Sequence, residues 1–156
     1  MKILIFIPAY NVEKKIFSVI ERIPNSIFDD NEIDILIIND ASTDNTEGEI
    51  EKIKKNFKYS IKVYNSDVNL GYGGVQKYAF KFSIENNYKY LIMLHGDGQY
   101  APEELPNFIQ KYENQNIDAV FGSRMKSYRS ALKGGMPFYK FLGNIFLTFI
   151  QNLKSN

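Results

Sequence analysis

The stretch "ILIINDASTDNT", residues 35–46, decides the fold. Four apolar residues, Ile35–Ile38, run without a polar break into a polar segment, and the next apolar residues, Ile50, Ile53 and Phe57, return at the helical period. A strand that is apolar on both faces must be covered on both faces, as in a parallel sheet with helices packed on either side. The same alternation continues in both directions along the chain. Strand-like runs occupy Ile3–Ile7, Ile61–Tyr64, Tyr90–Leu94 and Ala119–Phe121. Helical spacing relates Ile16, Val19, Ile20 and Ile23, then Val75, Tyr78, Ala79 and Phe82, then Leu105, Phe108, Ile109 and Tyr112. This order predicts an α/β fold, a three-layer sandwich with a mostly parallel central sheet. Ligands of such sheets sit beyond the carboxyl ends of the strands, which singles out "PAYN", "NDASTDNT", "NLGYGG" and "HGDGQY", each directly following a strand.

Composition narrows what those loops can do. The chain has 156 residues, enough for a buried core in one domain, and its 44% apolar and 24% charged residues describe a folded protein. Without cysteine it has neither disulfides nor thiolate metal sites, and one histidine excludes a histidine-rich zinc site. The start, "MKILIFIPAY", is too short for the apolar core of a signal peptide, so a cytoplasmic chain is expected. "GYGGVQ" carries Gln76 where a dinucleotide fingerprint needs glycine and follows the third strand rather than the first. Neither a phosphate-binding G-x-x-x-x-G-K-[ST] loop nor a G-x-S-x-G nucleophile elbow occurs. A net charge of +1 and the lack of a recognisable module argue against a nucleic-acid partner.

The small net charge conceals an asymmetry. No acidic residue follows Asp118, while Arg124, Lys126, Arg129, Lys133, Lys140 and Lys154 give +6. Residues 1–118 hold all 18 acids against 13 bases, so the last quarter alone favours anionic partners. Within Met136–Leu153, 11 of 18 residues are apolar, and Lys140, Asn144, Thr148 and Gln151 form one narrow polar stripe on a helix. That stripe argues against a membrane span, which needs ~20 nearly uncharged apolar residues. Three placements remain for this helix: on a membrane surface, beneath further protein, or in a core. The ending "QNLKSN" brings no further strand to cover it, so a C-terminal truncation is expected.

Five stretches in order, "IPAYNVE" (7–13), "IINDASTDNT" (37–46), "NLGYGG" (69–74), "MLHGDGQYAPEEL" (93–105) and "FGSRM" (121–125), resemble the family 2 glycosyltransferases of GT-A fold. Within that family they are most similar to the dolichol-phosphate mannosyltransferase-like, polyprenyl-phosphate sugar transferase branch. The resemblance implies a nucleotide-sugar-binding GT-A domain over residues 1–135 and, over 136–156, an amphipathic helix that begins an acceptor or membrane-side region. It implies metal-assisted, inverting transfer from a nucleotide-diphospho-sugar donor to a polyprenyl phosphate or surface glycan. The place of work would be the cytoplasm, at or near the inner face of the cytoplasmic membrane. A non-catalytic nucleotide-binding fragment and a pyrophosphate-releasing nucleotidyltransferase stand as alternatives.

The resemblance also distributes roles. Pro8, Ala9 and Tyr10 would line the nucleotide pocket, and Glu13 would accept from the ribose hydroxyls, although the branch usually places its glutamate one residue earlier, where Val12 stands. "NDAS" occupies the place of the family's "DDGS", so Asn39 replaces one acid and Asp40 keeps the other. Asp40 would either accept from a ring N–H of the base or cap the helix that carries Asp44 and Thr46. Asp44 reads as a turn or cap residue. Gly71, Gly73 and Gly74 would bring backbone close to the donor or form a plain turn.

The family's aspartate-x-aspartate-x-glutamine metal pattern falls on His95, Asp97 and Gln99, with Gly96 beside them in the donor site. These would hold Mg2+ or Mn2+ against the donor diphosphate. Histidine in the first position suits manganese better than magnesium, and His95 would otherwise contact the diphosphate or bond within its loop. Asp97 carries the metal role and, with Arg124, the catalytic one; Arg124 would reach the donor diphosphate or a lipid-phosphate acceptor. Pro102, Glu103 and Glu104 read as a helix opening, structural rather than catalytic.

Overall fold

A computed structural model describes residues 1–29, 31–114, 118–122 and 138–154. The chain forms two compact units, Met1–Gln115 and Asn116–Asn156.

The first unit runs β1 (Lys2–Ala9), α1 (Ile16–Glu21), a 3₁₀ turn (Asn25–Phe28), β2 (Glu32–Asn39), α2 (Thr46–Asn56), β3 (Ile61–Asn65), α3 (Gly71–Glu85), β4 (Tyr90–Met93), a second 3₁₀ turn (Pro102–Glu104) and α4 (Leu105–Asn114). The strands form one sheet of order β3-β2-β1-β4 in which every pairing is parallel. Ile5 lies opposite Ile35 on one side and Ile92 on the other, and Ala9 lies opposite Asn39 at the carboxyl end.

Strand alternation divides the core between two faces. Ile3, Ile5, Ile7, Ile33, Ile35 and Ile37 pack with Ile16, Val19 and Ile20 of α1, Ile50 and Ile53 of α2, and Leu105 and Ile109 of α4. Leu4, Phe6, Leu36 and Ile38 pack with Val75 and Ala79 of α3, beside the half-buried Tyr64, Tyr78 and Phe82. Helices therefore cover both faces of the sheet, as the apolar runs predict. Removing such an Ile or Leu side chain from water is worth about 1.5–3 kcal/mol, so β1 and β2 are the strands that hold the unit together.

Two details set the helix starts that matter below. At α2 the Asp44 carboxylate accepts from the Thr46 amide at 3.0 Å, while Glu47 and Glu49 in the first turn and Lys54 and Lys55 in the last complement the helix dipole. Before α4, Glu103 takes a two-pronged bond from Arg22 (2.6 and 2.8 Å) and Glu104 accepts from Asn107 at 2.7 Å, which gives both glutamates structural partners.

One expected strand is absent. Ala119–Phe121 has no strand pairing, and Phe121 is 90% exposed. Three apolar residues supply too few ladder bonds to hold a strand without a neighbour, so the run is irregular. The expected domain boundary at residue 135 lies outside the described residues.

In the second unit α5 spans Phe138–Lys154. Phe141 is buried, whereas Phe138, Tyr139, Leu142, Phe146, Leu147, Phe149 and Leu153 are exposed. Among the described residues no helix is long and apolar enough to cross a membrane.

Candidate functional site

The strand order reverses direction between β1 and β4, because the chain builds outward from β1 through β2 to β3 and then crosses to the other side of β1. Such a switch point leaves a crevice at the carboxyl ends of the strands. Pro8 and Ala9 close β1 there, with Tyr10 exposed just beyond, Asn39 and Asp40 close β2, and His95 to Gln99 follow β4.

The loops after β1 and β2 are fastened to each other. Asn11 adopts φ +52°, in the left-handed region. Its Oδ1 accepts from the Thr43 amide at 2.8 Å, and its own amide donates to Ser42 Oγ at 3.0 Å. The Val12 amide donates to Thr46 Oγ1 at 2.8 Å and the Glu13 amide to Asp44 Oδ2 at 3.2 Å. Burial pushes the Asp44 carboxyl up, but hydrogen bonds from the Thr46 hydroxyl and from the Glu13 and Thr46 amides outweigh it and hold the group below its ordinary range. This is the turn-and-cap role expected for Asp44. Glu13 Oε2 accepts from the Asn45 amide at 2.9 Å, so one carboxylate oxygen of Glu13 is committed to the start of α2.

Asn39 and Asp40 are both buried. Asn39 Oδ1 accepts from the Ser42 amide at 3.2 Å, and its Nδ2 donates to Asn65 Oδ1, also at 3.2 Å. Asp40 accepts from the Leu70 amide through Oδ1 at 2.6 Å and from the Gly71 amide through Oδ2 at 3.0 Å. The helix it caps is therefore α3, not the helix carrying Asp44 and Thr46, and this corrects the capping alternative read from sequence. The anchor crosses 30 residues, a reach that local capping rules do not cover. Gly71 serves it with φ +69°, whereas Gly73 and Gly74 lie inside the first turn of α3.

The segment after β4 stays beside β1 before it turns. The Leu94 amide donates to the Phe6 carbonyl at 3.0 Å and the Gly96 amide to the Pro8 carbonyl at 3.3 Å. Gly96 is where the two chains are closest. A Cβ there would lie 2.9 Å from the Pro8 carbonyl oxygen and 3.2 Å from Ile16 Cδ1, so no larger residue fits without a backbone shift. Asp97 Oδ1 accepts from the Gln99 amide at 3.0 Å, folding the turn that contains Gly98 at φ +73°.

His95 points into an aromatic setting. Its Nε2 is 3.4 Å from the Tyr72 hydroxyl, and its ring centroid is 5.7 Å from that of Tyr72 and 4.8 Å from that of Tyr100. Among the described residues no three His, Asp or Glu side chains converge as a metal site. The donor set that does fit a hard divalent cation is Asp97, whose Oδ2 has no protein hydrogen bond among the described residues, supplemented by Gln99. Arg124, with Lys126, Arg129 and Lys133, lies outside the described residues.

The structure thus brings Pro8, Ala9, Tyr10, Asn39, Asp40, Gly96, Asp97 and Gln99 to one end of the sheet, and Asp40 ties Gly71 to them. Sequence reasoning missed Asn11, which fastens the two loops, and Tyr72, which meets His95. The signal for Asn11 was available, since asparagine directly after a strand is the non-glycine residue best suited to a left-handed turn. None marks Tyr72.

Residues 4–152 match the family described as Glycosyl transferase family 2. The UDP-N-acetylglucosamine–dolichyl-phosphate N-acetylglucosaminyltransferase of Methanococcus voltae is 30% identical over 162 residues, covering 97% of this chain and 62% of that protein. The undecaprenyl-phosphate mannosyltransferase of Micrococcus luteus is 29% identical over 124 residues, covering 80% of this chain and 49% of that protein. The chain therefore spans about half to three-fifths of these relatives. The mannosyltransferase PcManGT from Pyrobaculum calidifontis, solved in complex with GDP-Man and Mn2+, superposes with a TM-score of 0.62 at 12% identity, over 83% of this chain and 38% of that one. At that identity the likeness establishes the GT-A fold.

Proposed function

The chain belongs to glycosyl transferase family 2, and on that premise we propose that it forms the donor-binding part of an enzyme that moves a sugar from a nucleotide-diphospho-sugar to a polyprenyl phosphate or a surface glycan. The observation that carries this reading is the meeting of Tyr10, Asp40 and Asp97 at the carboxyl ends of three adjacent strands. A nucleoside diphosphate is long enough to touch all three.

In this reading the nucleoside lies toward β2. A carboxylate offers about four lone-pair sites, so Asp40 keeps acceptor capacity for a ring N–H of the base while it anchors α3. Tyr10 flanks the base, Pro8 and Ala9 form the floor, and the second oxygen of Glu13 receives a ribose hydroxyl. Gly71 and Gly96 keep the backbone low enough for the diphosphate to pass. Asp97, with Gln99, holds the Mg2+ or Mn2+ of the family through oxygen atoms, the substrate phosphates completing the shell. A bound divalent cation supplies positive charge against the charge that grows on the departing nucleoside diphosphate.

The acceptor oxygen attacks the anomeric carbon from the face opposite the departing diphosphate, so the sugar inverts. A phosphate acceptor is already ionised and needs little help from a base, which suits a chain segment without an acid after Asp118. Arg124 follows the "GS" pair and pairs with a phosphate of donor or acceptor. The exposed apolar side of α5, together with the basic residues of 124–154, suits peripheral contact with an anionic membrane at its cytoplasmic face.

Calorimetric titration of the chain with UDP and GDP, with and without Mn2+ or Mg2+, tests the donor site. Metal-dependent binding of one nucleotide, lost in Asp97→Ala, is expected. Binding that ignores both the metal and Asp97→Ala would remove Asp97 from the site.

A further inference from the structure

Met93, at the end of β4, is the centre of a side-chain cluster that the proposed donor contacts leave unused. The Tyr72 hydroxyl lies 3.4 Å from Met93 Sδ and 3.4 Å from His95 Nε2, and Gln76 Nε2 lies 3.6 Å from the same sulfur. The three rings follow one another at shallow tilts, 32° between Tyr72 and His95 and 41° between His95 and Tyr100. Tyr72 is 54% exposed and Tyr100 and Met93 are each 38% exposed, so the rings are not packed as core. The result is a curved aromatic wall with hydroxyl and amide groups along its edge.

We propose that Tyr72, His95 and Tyr100 form the subsite that receives the sugar ring of the donor, by stacking against its C–H face. The inference rests on the donor-site reading and adds to it the group that binds the sugar. Three observations select a sugar ring over the other parts of a nucleotide-diphospho-sugar. No carboxylate or ammonium group contacts the three rings among the described residues, so the cluster suits a neutral ligand rather than the diphosphate. Rings tilted by 32° and 41° cannot together lie flat against a planar base, but they follow a puckered pyranose, whose hydroxyls can reach the Tyr72 hydroxyl and the Gln76 amide. The wall also sits at the end of β4, two strands from Asp40 at the end of β2. That separation is about 10 Å, and Asp97 lies between the wall and the rest of the donor in the same loop. The substitution of histidine for the family's first aspartate follows from this placement. His95 continues the wall and leaves the cation to Asp97.

The test compares each nucleoside diphosphate with its sugar conjugate, UDP with UDP-GlcNAc and GDP with GDP-mannose, titrated into the full chain and into Tyr72→Ala and Tyr100→Ala in the presence of Mn2+. Each variant is expected to lose about five-fold in affinity for the conjugate, the weight of one aromatic contact, and to keep its affinity for the free diphosphate. Tyr72→Phe, which retains the ring, should lose no more than about two-fold, since it gives up a single hydroxyl contact. Equal losses for conjugate and free diphosphate would assign the wall to the base and overturn the proposal, as would no loss for either. If the wild-type chain binds neither nucleotide, the donor-site reading falls and the subsite with it. Saturation-transfer NMR on the wild-type chain gives a readout independent of how the variants fold. Irradiating the aromatic protons should carry magnetisation to the sugar C–H protons, and transfer confined to the base and ribose would contradict the assignment.

Discussion

Replacing Asp40 by alanine removes the acceptor of two backbone amides at once, those of Leu70 and Gly71. A hydrogen bond to a charged acceptor contributes about 1.5–3 kcal/mol when buried. Leu70 is partly open to solvent, so water replaces some of each bond, and about 1 kcal/mol apiece is the reasonable share. A carboxylate at the positive end of a helix adds about 0.5–1 kcal/mol, and α3 is 15 residues long, enough to present a developed dipole. The sum is about 2–3 kcal/mol, which for a chain of this size lowers the melting temperature by roughly 4–12 °C. Urea unfolding followed by circular dichroism measures the first quantity and thermal melting the second. Asp40→Asn should lose about half as much, because the amide keeps one acceptor while its NH2 group faces the second amide. A loss under about 0.5 kcal/mol for Asp40→Ala would mean that α3 is held by its packing on Leu4, Phe6 and Ile38 alone, and the anchoring argument would fail.

Gly96→Ala should destabilise the chain by about 1–3 kcal/mol through overpacking, because the new methyl meets the Pro8 carbonyl, which the sheet holds in place; an unchanged urea midpoint would show that the loop after β4 can retreat. Asp34 reports on acid stability. Burial pushes its carboxyl up, but hydrogen bonds from Lys62, Tyr88 and Ser60 outweigh that and hold it below the usual range. Its stabilisation is complete above the unfolded carboxylate pKa and fades as pH falls below about 4, so urea midpoints taken from neutral pH downward should drop there, and Asp34→Asn should flatten the drop while lowering the neutral-pH value. Glu103→Gln breaks an exposed ion pair with Arg22 whose side chains are 51% and 40% open, so it should cost less than about 1 kcal/mol and leave nucleotide titrations unchanged.

What was legible in the sequence follows from the range of the interactions involved. The strands through Ile5 and Ile37 and the helices through Ile20, Ile53 and Ile109 are written in local periodicity, and the structure reproduces them. Strand order is not, since an all-apolar parallel strand carries no mark of its neighbours, and nothing local says that α3 alone covers the face of Leu4 and Phe6. Ala119–Phe121 shows the opposite failure, a short apolar run that periodicity cannot tell from a loop. At the site, the residues of the strand-end loops were legible because the topology rule and the family resemblance both point there. The contacts they make were less so. Asp40 finds its helix 30 residues on, and His95 meets a tyrosine 23 residues back, distances over which only the folded sheet brings side chains together.

The measurement that bears most directly on the account is mapping of backbone amide shifts by NMR while UDP or GDP is added with Mn2+ or, to avoid paramagnetic loss, Mg2+. The account predicts that the largest changes cluster at Ala9 to Val12, Asn39 to Ser42, Leu70 to Tyr72 and His95 to Gln99, all at the carboxyl ends of the strands. Changes confined to the opposite end, around the stacked Phe28 and Tyr59, would contradict it.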